Sequence, residues 1–195
     1  NIVKKSISQI DRIIVLDNFN RANLAKYFSR DSVVIRSGLN IEKYKYKERL
    51  PSKNKMRIFS NGIFYPWRRF EDLIVALKIV KNKGVEFELN HVGTDVRCKQ
   101  YAQKIYNMVK EFSLSDYVVF HGHVSEEKLI EFYSKSDIFV FPNYPQTWGL
   151  AVFEAMACGT PVIVSTGCGA SEVLTDEKNA LLVPPKSPQK IADAI

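Results

Sequence analysis

Short apolar runs alternate along the chain with longer segments in which apolar residues recur every three or four positions. The short runs are rich in branched and aromatic residues and predict strands over 11–17, 32–38, 56–62, 87–93, 117–122, 137–143, 161–165 and 180–184. The longer segments predict helices over 20–28, 68–84, 98–112, 125–136, 149–158 and 169–174. Strands that alternate with helices in this way predict a Rossmann-like α/β fold, a doubly wound parallel sheet with helices on both faces.

One polar and basic stretch interrupts the alternation, at 39–55, "LNIEKYKYKERLPSKNK". We interpret it as a linker and divide the chain around it. Residues 55–195 form one α/β domain whose last helix is truncated, residues 41–54 form the basic linker, and residues 1–40 are a short piece of a different, preceding domain.

Composition places the chain among globular proteins, with 46% apolar and 25% charged residues and no apolar run near the about 18 residues of a membrane span. The first residues lack the apolar core and cleavage site of a signal peptide, so we expect a cytoplasmic location. Three cysteines, Cys98, Cys158 and Cys168, have no C-x-x-C spacing, which predicts free thiols and neither a disulfide framework nor a zinc site.

The formal net charge of +7 comes mainly from lysines clustered in 43–57 and 78–84. No RNA-binding signature or recognition helix accompanies them, so nucleic acid is not an expected partner. A solvated basic linker explains the first cluster, and peripheral association with an anionic membrane surface or a polyanionic substrate stays open as the alternative.

Ligands of open α/β sheets bind beyond the carboxyl ends of the strands, which directs attention to the loops there. After 56–62, Gly62 permits a tight turn, and Arg68 and Arg69 stand at the start of the next helix. Guanidinium groups beside helix N-terminal amides predict a phosphate site, with a solvated helix start as the alternative. After 87–93, Gly93 allows close backbone approach or forms a simple turn.

The loop "HGHVSEE" carries His121 and His123. Histidines two positions apart without a third ligand nearby favour packing or surface roles over metal binding. The position fits a groove for a nucleotide base, contacted by the backbone amides around His123 and Val124.

The helix predicted over 149–158 begins with free amides that attract a phosphate, and Glu154 lies about one turn further in. A carboxylate there can accept hydrogen bonds from both hydroxyls of a ribose. A solvated surface glutamate is the alternative, and the apolar neighbours at 155–158 make it the weaker one.

The stretch at 142–174, "PNYPQTWGLAVFEAMACGTPVIVSTGCGASEVL", resembles the signature of the retaining GT-B glycosyltransferases of family GT4, E-x7-E followed by A-x-A-x-G-x-P-V. The resemblance extends to "SNGIFYPWRRFEDLIVAL" as a phosphate loop and to 118–143 as a base-binding region. It implies two Rossmann-like domains facing a cleft, of which this chain holds mainly the second. That domain binds a nucleoside diphosphate sugar as the donor of a hexose.

The resemblance also implies roles for individual residues. Glu154 matches the second acid of E-x7-E and is expected to hold the ribose hydroxyls. Gln146 occupies the place of the first acid, beside the donor sugar. The backbone amides of Gly149 and Leu150 are expected to face the diphosphate or the sugar.

Two positions depart from the family pattern. Gln146 is an amide where the family has an acid, so it can bind a sugar hydroxyl but supplies no negative charge. Ile63 replaces the family's arginine in the phosphate loop, whereas Arg68 keeps the charge of the family's lysine. Arg69 or a residue of the absent domain is expected to compensate for Ile63, and Gln146 to alter donor choice more than catalysis.

We therefore expect a cytoplasmic, retaining GT4-type enzyme with Gln146, Glu154 and Arg68 at its reaction centre and no metal or other cofactor. The acceptor, a sugar, a lipid-linked group or another compound, is expected to bind through the missing first domain, which leaves the fragment inactive by itself. Two alternatives stay open: a non-catalytic nucleotide-sugar-binding relative and a GT-B nucleotide-sugar epimerase.

Overall fold

The computed structural model describes residues 2–48, 50, 52, 54–146 and 148–195. Two short strands, β1 (Ile14–Val15) and β2 (Val33–Val34), pair in parallel as a small separate sheet. The larger sheet consists of β3 (Met56–Asn61), β4 (Phe87–Val92), β5 (Val118–Phe120), β6 (Ile138–Phe141), β7 (Val162–Ser165) and β8 (Leu181–Val183). These strands are all parallel and lie in the order β5-β4-β3-β6-β7-β8.

The helices alternate with these strands along the chain. Two of them precede the larger sheet, α1 (Ile2–Ser8) and α2 (Asn18–Phe28). The others are α3 (Phe70–Asn82), α4 (Lys99–Glu111), α5 (Glu126–Lys135), α6 (Leu150–Ala157) and α7 (Pro188–Ala194). Alternating strands and helices with parallel pairing confirm the predicted Rossmann-like, doubly wound fold.

The strand order reverses between β3 and β6. From β3 the chain adds β4 and β5 on one side, and from β6 it adds β7 and β8 on the other. The loops that follow β3 and β6 therefore run in opposite directions and leave a crevice between them at the carboxyl edge of the sheet. This topological switch point is where the candidate site is formed.

The core lies in two layers, one on each face of the sheet. On one face α3, α4 and α7 cover the sheet with residues such as Leu77, Ile105 and Ile191. On the other face α5 and α6 pack against it through Tyr133, Val152 and their neighbours. Strands buried on both faces explain the nearly continuous apolar runs of β6 and β7 in the sequence.

Residues 39–48 contain no helix or strand and cross the second of these layers. Their three lysines, Lys43, Lys45 and Lys47, are exposed, whereas Tyr44 is buried among core residues. The linker therefore contributes to the packing of the larger sheet as well as connecting it to the first residues.

The first residues also contact the region after β7. The Glu172 carboxylate accepts a hydrogen bond from the Asn18 backbone (2.9 Å) and pairs with Arg36 (2.7 Å). The Trp148 indole donates to the Ser37 carbonyl at 3.0 Å. The small sheet is thereby held beside the carboxyl edge of the large one.

All eight predicted strands are present but shorter, and five of the six predicted helices are confirmed. The sixth, at 169–174, is a 3-10 turn over Gly169–Val173, too short for regular i to i+4 bonding. Helix α1 was not predicted; it spans seven residues and buries none of their side chains. In the part of the chain that the structure describes, Cys98, Cys158 and Cys168 take part in no disulfide. Within the described residues, no helix is sufficiently long and apolar to span a membrane.

Candidate functional site

Three glycine-containing loops meet at the carboxyl edge of β3, β4 and β5. Gly62 N–H donates to the Val92 carbonyl (2.8 Å), and Gly93 N–H donates to the Gly122 carbonyl (2.9 Å). A Cβ atom on Gly93 would lie 1.9 Å from the Gly62 carbonyl oxygen, so only glycine fits there. Gly93 is therefore a point at which the backbones of two loops approach each other closely.

A buried histidine supports this glycine junction from below. The His91 ring packs edge-on against Phe64 and Phe70 and places Nε2 3.2 Å from the Gly62 carbonyl and Nδ1 2.8 Å from the Ser60 hydroxyl. Burial, with a smaller contribution from the nearby Arg68 charge, lowers the pKa of His91 to about 3. The ring is neutral, so Nε2–H donates to Gly62 and Nδ1 accepts from Ser60.

Arg68 lies above Gly62 and faces the switch point between β3 and β6. A Cβ atom on Gly62 would be 3.2 Å from Arg68 Nε, which shows how closely the guanidinium covers this backbone. The fully buried Asn143, just after β6, accepts from Arg68 Nη1 at 2.8 Å and donates to the Arg68 carbonyl at 3.1 Å. Burial lowers the pKa of Arg68. Among the described residues no carboxylate forms an ion pair with it, and its Nε has no partner.

The adjacent Arg69 is in the opposite electrostatic situation. Its guanidinium donates two hydrogen bonds to Asp72, at 2.8 and 2.9 Å, and pairs with Glu71 at 2.9 Å. Burial lowers its pKa, but the Asp72 and Glu71 carboxylates outweigh burial and raise the pKa of Arg69 above its usual value. Its charge is neutralised within the first turn of α3, so Arg69 differs from Arg68 in having carboxylate partners already in place.

Helix α6 begins at the same crevice. Its N-cap, Gly149, has φ 77°, and the first intrahelical bond runs from Val152 N–H to the Gly149 carbonyl at 3.0 Å. The amides of Leu150 and Ala151 precede that bond and lack intrahelical partners. A cavity of about 280 Å³ opens in front of them, lined by Leu16, Ser37, Arg68, Phe141, Gln146, Trp148, Gly149, Leu150 and Ala151.

Gln146 is held in the cavity wall by its backbone. Its N–H donates to the Gly167 carbonyl (3.2 Å), and its carbonyl accepts from Gly169 N–H (3.1 Å). Gln146 is thus anchored by its backbone to the loop after β7. The structure places Gln146 and Arg68 around one cavity, as the sequence interpretation requires.

Glu154 lies on the second turn of α6, toward α5 and the linker. Its Oε2 accepts from the Tyr133 hydroxyl (2.7 Å) and its Oε1 from the Tyr44 hydroxyl (3.2 Å). The Tyr133 oxygen in turn accepts from Asn61 Nδ2 at 2.7 Å. Burial and the Glu154 charge raise the pKa of Tyr44 to about 12, so the hydroxyl retains its proton and acts as a donor.

The loop after β5 places the two residues predicted to face a base differently. His123 is exposed, whereas Val124 is half-buried and packs on the apolar layer that contains Tyr133. His121 packs on the Phe132 ring at 4.5 Å and bonds Asn90 at 2.7 Å, which agrees with a surface packing role. Among the described residues, no His, Cys, Asp and Glu side chains form a group of three or more suited to a metal ion.

Several polar residues of this site were missed by sequence reasoning: Tyr44, Asn61, His91, Tyr133 and Asn143. Asn61 and Asn143 stand at strand ends, and a search for polar side chains at every carboxyl end would have included them. The tyrosines carry no such signal, because their hydroxyls reach Glu154 only after α5 and the linker have packed.

Comparison with known proteins agrees with this geometry. The family model described as "Glycosyl transferases group 1" matches residues 40–195. A glycosyltransferase of Methanocaldococcus jannaschii, MJ1069, is 30% identical over 97% of this chain and 47% of its own length. The chain belongs to the group 1 glycosyltransferase family.

Solved structures give the same result for the fold. Sucrose-phosphate synthase from Thermosynechococcus elongatus superposes with a TM-score of 0.85 and 28% identity, over 99% of this chain and 50% of that one. Anabaena Alr3699/HepE, solved with UDP and glucose, gives a TM-score of 0.84 at 22% identity, over 94% of this chain and 52% of that one. These matches confirm the resemblance to GT-B glycosyltransferases. The chain spans about half the length of these proteins.

Proposed function

We propose that this chain binds the donor of a retaining GT4-type glycosyltransferase, a nucleoside diphosphate sugar from which a hexose is transferred. The observation that carries the proposal is Arg68, a half-buried guanidinium at the amide end of α6 with no carboxylate partner among the described residues. Burying an unpaired charge costs several kcal/mol in proteins, so the arrangement is suited to receive an anion. A diphosphate would accept from both the guanidinium and the free amides.

The surrounding residues suggest where the ribose, the base and the hexose of the donor would lie along the crevice. Glu154 would accept hydrogen bonds from the ribose hydroxyls, and the loop at His123 and Val124 would border the base. Gln146 lies in the wall of the cavity that holds Arg68, which is where the hexose would extend from the diphosphate. The glycine junction beneath Arg68 lets the ligand approach the backbone closely.

Gln146 gives the proposal its main chemical consequence. A neutral amide can bind and orient a sugar hydroxyl but cannot stabilise a developing oxocarbenium ion by charge. The departing diphosphate would remain the base, stabilised by Arg68 and the α6 amides without a metal. We therefore assign Gln146 to donor orientation and choice.

The same residue favours one rival function, nucleotide-sugar binding without transfer. The two functions differ in turnover: transfer of a labelled hexose by the full-length protein supports the enzyme, and binding without transfer or donor consumption supports the rival. An epimerase would convert the donor in the absence of any acceptor.

We assign acceptor binding to a first domain, of which residues 2–37 would form a part. In this segment α1 and α2 bury no side chain, and apolar residues such as Ile14, Phe19 and Val33 are more than half exposed. Such a surface fits coverage by further chain. A cytoplasmic location with contact to an anionic membrane through the linker lysines completes the proposal.

The test is ligand-induced stabilisation. UDP, the nucleotide bound in the Anabaena neighbour, is the first probe, with GDP and ADP beside it and no divalent metal present. Binding at 100 times Kd raises the free energy of unfolding by about 2.7 kcal/mol, which gives a clear rise in Tm. A Tm unchanged by all three nucleotides at millimolar concentration contradicts the proposed function.

A further inference from the structure

We infer that Tyr133 and Tyr44 are positioning residues for Glu154, and that Tyr44 makes the linker a part of the donor site. The inference rests on the proposed function, in which Glu154 receives the ribose. It assigns a role in ribose recognition to two tyrosines that lie outside the family signature.

The two hydroxyls bind different oxygens of one carboxylate. Tyr133 donates to Oε2 and Tyr44 to Oε1, so the plane of the Glu154 carboxylate is fixed from two sides. An ionised carboxylate offers about four lone-pair positions. The tyrosines occupy two of them, which leaves two acceptor positions for the two vicinal hydroxyls of a ribose.

Tyr133 is itself rigidly held. It is fully buried, edge-on to Phe59 and Phe139 at centroid distances of 5.1 and 5.4 Å. Asn61 Nδ2 donates to its hydroxyl oxygen at 2.7 Å, which directs the hydroxyl proton toward Glu154. Since Asn61 directly precedes Gly62, this chain of hydrogen bonds joins the ribose carboxylate to the loop beneath Arg68.

Tyr44 approaches from the linker and is anchored there by its neighbours. Its ring is 8% exposed and edge-on to Tyr133 at 6.3 Å. Lys43 pairs with Glu126 at the start of α5, and the Tyr46 ring covers Gly159, where a Cβ atom would lie 2.4 Å from it. The linker is therefore bound to α5, α6 and the turn after α6 within four residues.

Both tyrosines act as donors and Glu154 as the acceptor. Burial and the Glu154 charge raise the pKa of Tyr44 to about 12 and the pKa of Tyr133 well above its usual value. A glutamate side chain without these bonds samples several rotamers, and ordering it on binding costs affinity. Removing either hydroxyl should therefore weaken recognition of the ribose and leave recognition of the diphosphate unchanged.

The test measures affinities of Tyr133→Phe and Tyr44→Phe for two ligands by calorimetry. The ligands are the nucleoside diphosphate that binds the unmodified chain most tightly, among UDP, GDP and ADP, and its 2′,3′-dideoxy form. For the ribose ligand we expect a loss of roughly 5- to 20-fold for Tyr133→Phe and roughly 2- to 10-fold for Tyr44→Phe. For the dideoxy ligand we expect no loss from either substitution.

Two controls sharpen the result. Tyr117→Phe, on a ring that packs on Phe87 at the opposite edge of the sheet, should leave both affinities unchanged. In a Glu154→Gln background, Tyr133→Phe should cost less than about two-fold, because the residue it positions has been removed. Hydrogen exchange at 43–46 should slow when the ribose ligand binds and stay unchanged with the dideoxy ligand.

Each outcome decides the inference. Unchanged affinities, or equal losses for the two ligands, would show that the tyrosines are merely structural and overturn it. If the hydrogen-exchange rate at 43–46 does not change when the ribose ligand binds, the linker is not part of the donor site. If the unmodified chain binds none of the nucleotides, the proposed function fails and the inference with it; if it binds and only the tyrosine results fail, the proposed function stands.

Discussion

The two ends of the crevice treat charge in opposite ways. At the end proposed to bind the diphosphate, the diphosphate end, Arg68 is half-buried with a neutral amide as its partner and no paired carboxylate among the described residues. At the end proposed to bind the ribose, the ribose end, the Glu154 carboxylate accepts hydrogen bonds from two tyrosine hydroxyls. The first end has an unmatched charge and the second has an oriented, hydrogen-bonded one.

Because of this difference, we expect one end to supply most of the binding energy and the other to select the ligand. A desolvated, unpaired guanidinium gains most from an anion, so the diphosphate should supply most of the binding energy. A carboxylate already satisfied by two donors gains less from further hydrogen bonds, but its geometry selects a vicinal diol. The ribose end should therefore decide which ligand binds and contribute less to how tightly.

The largest effect is expected at the diphosphate end. Arg68→Ala should weaken nucleoside diphosphate binding by about 1.5 to 3 kcal/mol and change nucleoside binding little, because the lost bonds are charge-assisted bonds to phosphate. Titration calorimetry with UDP and uridine measures both affinities. Arg69→Ala is the matched control: it removes the same charge from ion pairs with Asp72 and Glu71 and should leave affinity intact. Equal losses for the two variants would show that the contrast between the arginines is wrong.

The ribose end comes next. Glu154→Gln should cost roughly 1 to 3 kcal/mol in nucleotide affinity, because a charged acceptor becomes a neutral amide with one carbonyl oxygen. The loss should vanish with a 2′,3′-dideoxy nucleotide, measured in the same calorimetric series. A loss that persists with the dideoxy ligand would mean that Glu154 does not recognise the ribose hydroxyls.

His91, which lies beneath the diphosphate end, should make the free energy of unfolding depend on pH. In the folded chain the pKa of His91 is lowered to about 3, whereas unfolded histidine titrates near 6.5, so between these values the unfolded state binds the extra proton. Stability should fall as pH falls through this window, by up to about 1.4 kcal/mol per pH unit. Urea unfolding of the native chain and of His91→Gln, from pH 7 to 4.5, should show a flatter dependence for the variant. An unchanged slope would contradict a neutral His91.

The smallest effect on nucleotide binding is expected at Gln146. Gln146→Glu should leave affinity for the bare nucleotide nearly unchanged, because this side chain is assigned to the hexose. In the full-length protein it should change the ratio of kcat/KM between two sugars on one nucleotide. If the substitution changes bare-nucleotide affinity as much as Glu154→Gln does, the assignment of these two residues to sugar and ribose is wrong.

The local pattern of the chain was sufficient to predict the architecture. Short apolar runs located the strands, although β1 and β2 proved much shorter than predicted and pair over only two residues each. The same pattern placed Arg68, Gln146 and Glu154 on loops or helix starts after strands, where a doubly wound sheet forms its crevice. These conclusions depend on residues close together in the chain.

Which side chains from different elements become hydrogen-bond or ion-pair partners was decided only by the tertiary structure. Arg68 and Arg69 are adjacent in the sequence, yet a change of backbone direction at Arg69, with φ 54°, leaves one facing the crevice and turns the other to α3. Tyr44 meets Glu154 across 110 residues, and Tyr133 meets it across 21. Hydrogen bonds and ion pairs need atoms within about 3 to 4 Å. Sequence spacing sets such distances within a helix or strand, but between elements they are set by packing, and that packing determined which charges in this protein are matched.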